Sequence, residues 1–209
     1  PGGDYMIATQ AAIDAAPDGY TLYSSASPFS ILPFSQKNPP NLLRDLQPIT
    51  RITSLQSALW VADNVPVKSF NELLQWGKEN PSKMSVGGSG SANPLRFAWE
   101  AIRMKTNLPA QYIAYKTGAT VVTDLVAGTL PVGLTGIGNA ASYQRDGKIR
   151  ILLILSQNRW AGEPDGPARK DVGVEGFTGD AWLGFLTRAG LRAAVLARVV
   201  SRSSLQAKT

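Results

Sequence analysis

The run Val86-Gly87-Gly88-Ser89-Gly90-Ser91-Ala92-Asn93-Pro94 constrains the fold of this chain more than any other stretch. A short extended segment, Lys83 to Val86, leads into it, and an amphipathic helix leads away. Asn93 suits an N-cap, because its side-chain oxygen can accept an orphan amide of the first turn. Pro94 suits the first helical position, having no N–H to leave unpaired. Leu95, Ala98, Trp99 and Ile102 then recur at i, i+3, i+4 and i+7, a stripe that requires a core. Arg103 and Lys105 fall in the last turn, where cations complement the helix dipole. Strand, glycine-rich turn and capped helix in that order present backbone amides and small hydroxyls to an anion.

The same glycines would also serve a plain βα turn that needs φ > 0. Three sharper motifs fail on particular residues. A P-loop ends in Gly-Lys-Ser/Thr, and no lysine lies between Lys83 and Lys105. A dinucleotide fingerprint has Asn93 where its third glycine belongs. A Gly-x-Ser-x-Gly nucleophile elbow has Ser91 in its last place. A hydrogen-bonding cradle for something small and negative survives.

Composition narrows the chemistry further. The 209 residues include no histidine and no cysteine. That removes Ser-His-Asp and Cys-His catalysis, imidazole or thiolate metal sites, and disulfides. No apolar run approaches the roughly 20 residues of a membrane-spanning helix. No signal-peptide pattern opens the chain, and Pro1 stands where an initiator Met would, so processing or cropping is expected. The net charge of +6 is mainly a tail property. Of 21 Lys and Arg, five (Arg188, Arg192, Arg198, Arg202, Lys208) fall in the last 22 residues, which hold no acid; this leaves 16 basic against 15 acidic residues in the body. A nucleic-acid footprint would cluster basic and aromatic residues on a folded face, so no nucleic-acid partner is expected.

In chain order, Tyr5 to Ala16 reads as a helix stopped by Pro17-Asp18-Gly19, and Tyr20 to Ser24 as a strand. Ser25-Ala26-Ser27-Pro28 follows at that strand's end, where α/β folds place ligand loops. Ile49 to Val61 reads as one long strand able to cross between domains. Ser69-Phe70-Asn71-Glu72 is a capping box opening a helix to about Asn80, stopped by Pro81. Gln111 to Tyr115, Leu130 to Thr135 and Ile149 to Leu155 read as strands, the last apolar throughout as in a strand buried on both faces. Helices from Thr120 to Ala127 and from Asn139 to about Asp146 separate them, each ended by glycine. Strands alternating with helices imply a mostly parallel sheet. Ala181 to Leu186 is a second crossing strand, and Arg192 to Val200 a final helix.

The order of these pieces resembles a known family. Pro17-Asp18-Gly19-Tyr20-Thr21-Leu22 and Asp45-Leu46-Gln47-Pro48-Ile49-Thr50 are similar to the A-P-D-G-Y-T-L and D-F-x-P-V-T patterns of tripartite tricarboxylate transporter receptors, the Bug-type periplasmic solute-binding proteins. Val65-Pro66-Val67-Lys68-Ser69 through Leu73 resembles their P-V-K-S-x-x-E-L helix start. Tyr115-Lys116 with Thr123-Asp124-Leu125, Asp146-Gly147-Lys148-Ile149-Arg150, and Trp182-Leu183-Gly184-Phe185 resemble three further motifs in the family's order.

The resemblance implies an α/β, two-lobed, clam-shell fold of the periplasmic-binding-protein type with mostly parallel sheets. Residues 1–60 and 187–209 would form the first lobe, and 61–186 the second. It implies a periplasmic receptor without catalysis, metal or cofactor, not itself membrane-spanning. Such a receptor captures a small organic carboxylate and delivers it to the membrane components of a tripartite tricarboxylate transporter. Two other readings stay open: a ligand-sensing receptor for a signalling partner, and an α/β enzyme acting on a phosphorylated substrate. Expected ligand contacts are Ser25 and Ser27; Gly88, Ser89, Gly90 and Ser91; Thr117, Gly118 and Ala119; and Thr135 and Gly136. The family's asparagine and histidine in the glycine loop are replaced here by Ser89 and Pro94, and an acid near the third loop by Thr135. Tyr115 reads as a core residue, Lys116 as a surface lysine, and Trp76 and Trp99 as packing residues. Relatives carry a further strand, loop and helix before the position of Pro1, and the match fades after Gly190, so a weakened first lobe is expected.

Overall fold

The computed structural model describes residues 6–35, 37–90, 93–174, 176 and 181–206. In chain order the elements are α1 (Met6–Asp14), β1 (Tyr23–Ala26), α2 (Leu32–Ser35), α3 (Leu42–Asp45), β2 (Leu46–Leu55) and β3 (Ser57–Ala62). There follow α4 (Phe70–Glu79), β4 (Ser85–Ser89), α5 (Pro94–Thr106), β5 (Gln111–Tyr115), α6 (Gly118–Val126), β6 (Val132–Gly136) and α7 (Ile137–Arg145). The last are β7 (Ile149–Ile154), β8 (Ala181–Arg188) and α8 (Ala193–Gln206). Packing divides the chain into one unit of Pro1–Leu55 with Ala181–Thr209 and a second of Gln56–Asp180.

The second unit holds a five-stranded sheet in the order β5-β4-β6-β3-β7. β4 runs parallel to β5 and β6, while β3 runs antiparallel to both β6 and β7. Four strands therefore point one way and β3 is inserted against them. All six residues of β3 are buried, as suits a central strand covered on both faces. Trp60, Phe70, Leu73, Trp99, Ile102 and Leu125 are among the fully buried side chains of this core. The α5 stripe reaches it as the spacing predicts, with Ala98, Trp99 and Ile102 buried and Leu95 packed at its margin.

Local signals in this unit are met atom by atom. Ser69 Oγ accepts the Glu72 amide at 3.2 Å, while the Glu72 carboxylate turns back to the Lys68 amide at 2.8 Å. Arg150, on β7, pairs with Asp63 and donates to the Val65 carbonyl at 2.8 Å. One side chain thereby ties the chain leaving β3 to the sheet's outer strand.

The first unit has a three-stranded sheet, order β1-β8-β2, antiparallel at both pairings. This departs from the expectation of mostly parallel sheets. β8 arrives late in the chain and inserts between β1 and β2, a pairing that no local periodicity encodes. The single strand expected over Ile49 to Val61 is two, β2 and β3, interrupted at Gln56. β2 also shifts register between Pro48 and Thr50, where proline has no N–H for a ladder. β1 begins at Tyr23, three residues later than expected, and Tyr20 stands 94% exposed. The core here is small, built on Ala12, Tyr23, Phe29, Leu32, Leu42, Leu46 and Leu186.

Candidate functional site

In the second unit the strands β5, β4 and β6 lie side by side, and the helices that follow them begin at the same edge of the sheet. β4 continues through Ser89, so Gly87, Gly88 and Ser89 are strand residues where a loop was expected. Their glycines are explained by packing. A Cβ on Gly87 would lie 2.5 Å from Leu130, and one on Gly88 would collide with the Tyr112 hydroxyl. That hydroxyl lies across the run and donates to the Gly90 carbonyl at 3.2 Å. Gly90 is different. Its φ of +73° lies in the left-handed region, a Cβ placed there would meet nothing closer than Asn93 Nδ2 at 3.5 Å, and its amide donates to the Tyr115 carbonyl at 2.8 Å.

Three helix starts frame the edge. Asn93 caps α5, accepting the Arg96 amide at 3.1 Å, and its Nδ2 donates to Ser89 Oγ at 3.4 Å. Thr117 caps α6 in a reciprocal box with Thr120, each hydroxyl accepting the other's amide at 3.3 Å. The first amides of a helix have no carbonyl within it. With Thr120 satisfied, the Gly118 and Ala119 amides are left without a partner among the described residues. α7 starts at Ile137, whose amide donates to the Gln56 carbonyl at 2.9 Å, and Gly136 offers no capping side chain.

The second and third starts are fitted to one another. Asn139 Nδ2 donates to Thr135 Oγ1 at 3.0 Å, and a Cβ on Gly118 would stand 2.5 Å from that oxygen and 2.7 Å from that nitrogen. Glycine at position 118 therefore lets α6 begin against the end of β6. Ser89, Gly90, Thr117, Gly118, Ala119, Thr135 and Gly136 all lie along this edge, while Ser91 is outside the described residues. Ser25 and Ser27 belong to the first unit, both buried; Ser25 Oγ has no partner, and the Ser27 carbonyl accepts Ser30 Oγ at 2.6 Å.

None of the edge residues is charged, and the nearest cation along the chain is Lys116, between the end of β5 and Thr117; the groups that the edge residues themselves offer an anion are amide dipoles and hydroxyls. Two tyrosines surround them. Burial pushes the Tyr112 hydroxyl up to about 12, against the nearby Arg96, whose guanidinium carbon lies 5.2 Å from its ring centre. Burial, and then the hydrogen bond to Asp124 at 2.8 Å, push Tyr115 to about 12 as well. Both stay neutral donors at ordinary pH. Tyr115 is half-buried and not a core residue, and it joins β5 to α6 through Asp124, a contact between two elements that no local spacing signals. Among the described residues no group of three or more His, Cys, Asp or Glu could hold a metal ion, and no helix is long and apolar enough to cross a membrane.

The family model described as "Tripartite tricarboxylate transporter family receptor" matches residues 1–207. A UPF0065 protein of Bordetella pertussis is 27% identical over 202 residues, 96% of this chain and 62% of that protein. A Rhodopseudomonas palustris protein solved with adipate superposes with a TM-score of 0.81 at 19% identity, covering 97% of this chain and 69% of that one. A second from the same organism, MatC with bound malate, gives 0.76 at 21% identity, covering 97% and 70%. These solved structures share the α/β solute-binding fold. The chain spans about three fifths of the length of the curated relatives it matches.

Proposed function

Because this chain belongs to the tripartite tricarboxylate transporter receptor family, we propose that it binds a small organic carboxylate in the periplasm and passes it to the membrane components of a tripartite tricarboxylate-type transporter. The family is one of solute-binding receptors, and no catalytic step is assigned here. The observation that carries the reading is the pair of open amides, Gly118 and Ala119, at the capped start of α6. They sit where the starts of α5 and α7 also meet the sheet edge. A carboxylate there would accept from backbone N–H groups and from the hydroxyls of Ser89, Thr117 and Thr135, without needing a fixed cation. Gly88, Gly90 and Gly136 are proposed as the backbone around it, together with Ser91, which lies outside the described residues; Ser25 and Ser27 are proposed separately as ligand contacts within the first unit. Malate and adipate, held by the two solved relatives, are both small dicarboxylates, which favours that ligand class.

Thermal melting against a panel of malate, succinate, adipate, citrate and benzoate, with ATP and NAD as controls, tests the proposal. A ligand at 100 times its dissociation constant adds about 2.7 kcal/mol to stability. A rise in melting temperature with at least one carboxylate and none with either nucleotide is expected. Stabilisation by a nucleotide with no carboxylate response would overturn it.

A further inference from the structure

A groove of about 780 Å³ runs along the first unit between the turn at residues 17–20 and the start of α8. Its size lies within the ~300–1,000 Å³ of clefts that hold ligands. Asp18, Tyr20, Arg192, Val195, Arg198 and Val199 line it.

Charge in this groove is predominantly positive, two arginines against the single carboxylate of Asp18. The Asp18 carboxylate is turned onto its own loop, accepting the Tyr20 amide at 2.9 Å. Arg192 and Arg198 have no carboxylate partner among the described residues. No Asp or Glu occurs anywhere from Ala181 to Thr209.

Both arginines also stand against their local electrostatics. The Arg192 carbonyl accepts the amides of Val195 and Leu196, so this residue sits at the N-terminal end of α8, where the helix dipole disfavours a cation. Arg198 and Arg202 are four residues apart, a like-charge spacing that weakens a helix. Local rules broken without an internal compensation mark places where function supplies it. Val195 and Val199 add apolar surface to the lining beside the two cations, and the exposed Tyr20 lines it as well. Arginine and tyrosine beside apolar surface are the side chains that protein interfaces use as anchors.

We propose that this groove docks an acidic peptide segment of a protein partner. Carboxylates of the segment pair with Arg192 and Arg198, an apolar side chain between them rests on Val195 and Val199, and Tyr20 closes over one end. Two cations spaced along the start of α8, beside a concave groove, suit an extended segment that can enter it, whereas a flat anionic bilayer would leave the groove unfilled. The assignment is independent of the carboxylate site in the second unit.

Fluorescence anisotropy with a labelled Glu-Asp-Leu-Glu-Asp peptide tests it. Binding is expected at low salt, weakening steeply by ~0.3 M, where the screening length is shorter than 10 Å. The Arg192→Glu, Arg198→Glu double variant should lose at least about tenfold in affinity. Replacing the peptide's leucine by glycine should also weaken binding, while reversing Arg103 and Lys105 on α5 should not. If the double variant melts early, Arg192→Gln with Arg198→Gln replaces it. Equal loss on reversing the α5 charges, no effect of the leucine, or binding to phosphatidylglycerol vesicles but not to the peptide would each overturn the proposal.

Discussion

Asn139 and Thr135 are joined by a hydrogen bond of 3.0 Å directly over the bare α-carbon of Gly118. The start of α6, the end of β6 and the first turn of α7 are thereby fitted to one another by one missing methyl group. Gly118→Ala forces the hydroxyl and the amide apart, since the new Cβ would stand 2.5 and 2.7 Å from them. Overpacking of this kind costs ~1–3 kcal/mol. Urea melts should show that loss, and calorimetric titration should show carboxylate affinity falling by about tenfold or more. A stable variant with unchanged affinity would place the ligand elsewhere.

Gly90 separates a conformational from a steric requirement. Its φ of +73° excludes most side chains, yet nothing crowds it. Gly90→Val should cost ~1–2 kcal/mol and remove ligand binding. Gly90→Asn, which tolerates the left-handed region, should retain most of both. Equal damage from the two substitutions would mean that space, and not backbone conformation, is what the position requires.

Alkaline pH should weaken the second unit through Tyr112 and Tyr115. Their folded values, about 12, exceed the ~10 of an unfolded tyrosine. Below pH ~10 both states keep the proton and the contribution is whole. Between about 10 and 12 the unfolded chain ionises first, so stability falls as pH rises. Urea midpoints across that window should decline, and less steeply in Tyr115→Phe. Tyrosinate absorbance should show a late-titrating component from Tyr112 and Tyr115 that shrinks in Tyr115→Phe.

At the acid end the cap of α4 gives the opposite slope. The Lys68 amide and then the Ser69 hydroxyl hold the Glu72 carboxyl below its usual range. Its contribution is present above the unfolded value near 4.3 and is lost as pH falls through the folded one. Ser69→Ala should cost ~1 kcal/mol at neutral pH. Denaturation of Glu72→Gln should show a flatter acid limb than the parent; an identical limb would remove Glu72 from the account.

What was legible in the sequence was local. Asn93 and Pro94 announce α5, Ser69 and Glu72 announce α4, and the stripe from Leu95 to Ile102 finds its core because these signals are completed within one or two turns. Pairing was not legible. The apolar run of β7 says that it is buried but not that β3 separates it from β6, and nothing near Trp182 says that β8 lies between β1 and β2. The break at Gln56 also escapes periodicity, since Leu55 and Ser57 both continue an extended pattern. At the candidate site the glycines were visible, but their reasons differ. Gly88 makes room for Tyr112, Gly118 for Thr135 and Asn139, and Gly90 alone answers to φ. The bond from Tyr115 to Asp124 joins side chains on two elements, which a strand pattern alone reports as plain burial.

Backbone amides at the ends of β5 and β6 are proposed to hold a carboxylate. Amide chemical shifts of the isotope-labelled protein, followed during titration with the carboxylate that most raises the melting temperature, test this residue by residue. Gly118 and Ala119 should shift most, downfield as their N–H groups gain an acceptor, with smaller changes at Gly90 and Gly136. Saturable carboxylate binding that leaves Gly118 and Ala119 unmoved would place the ligand away from the start of α6.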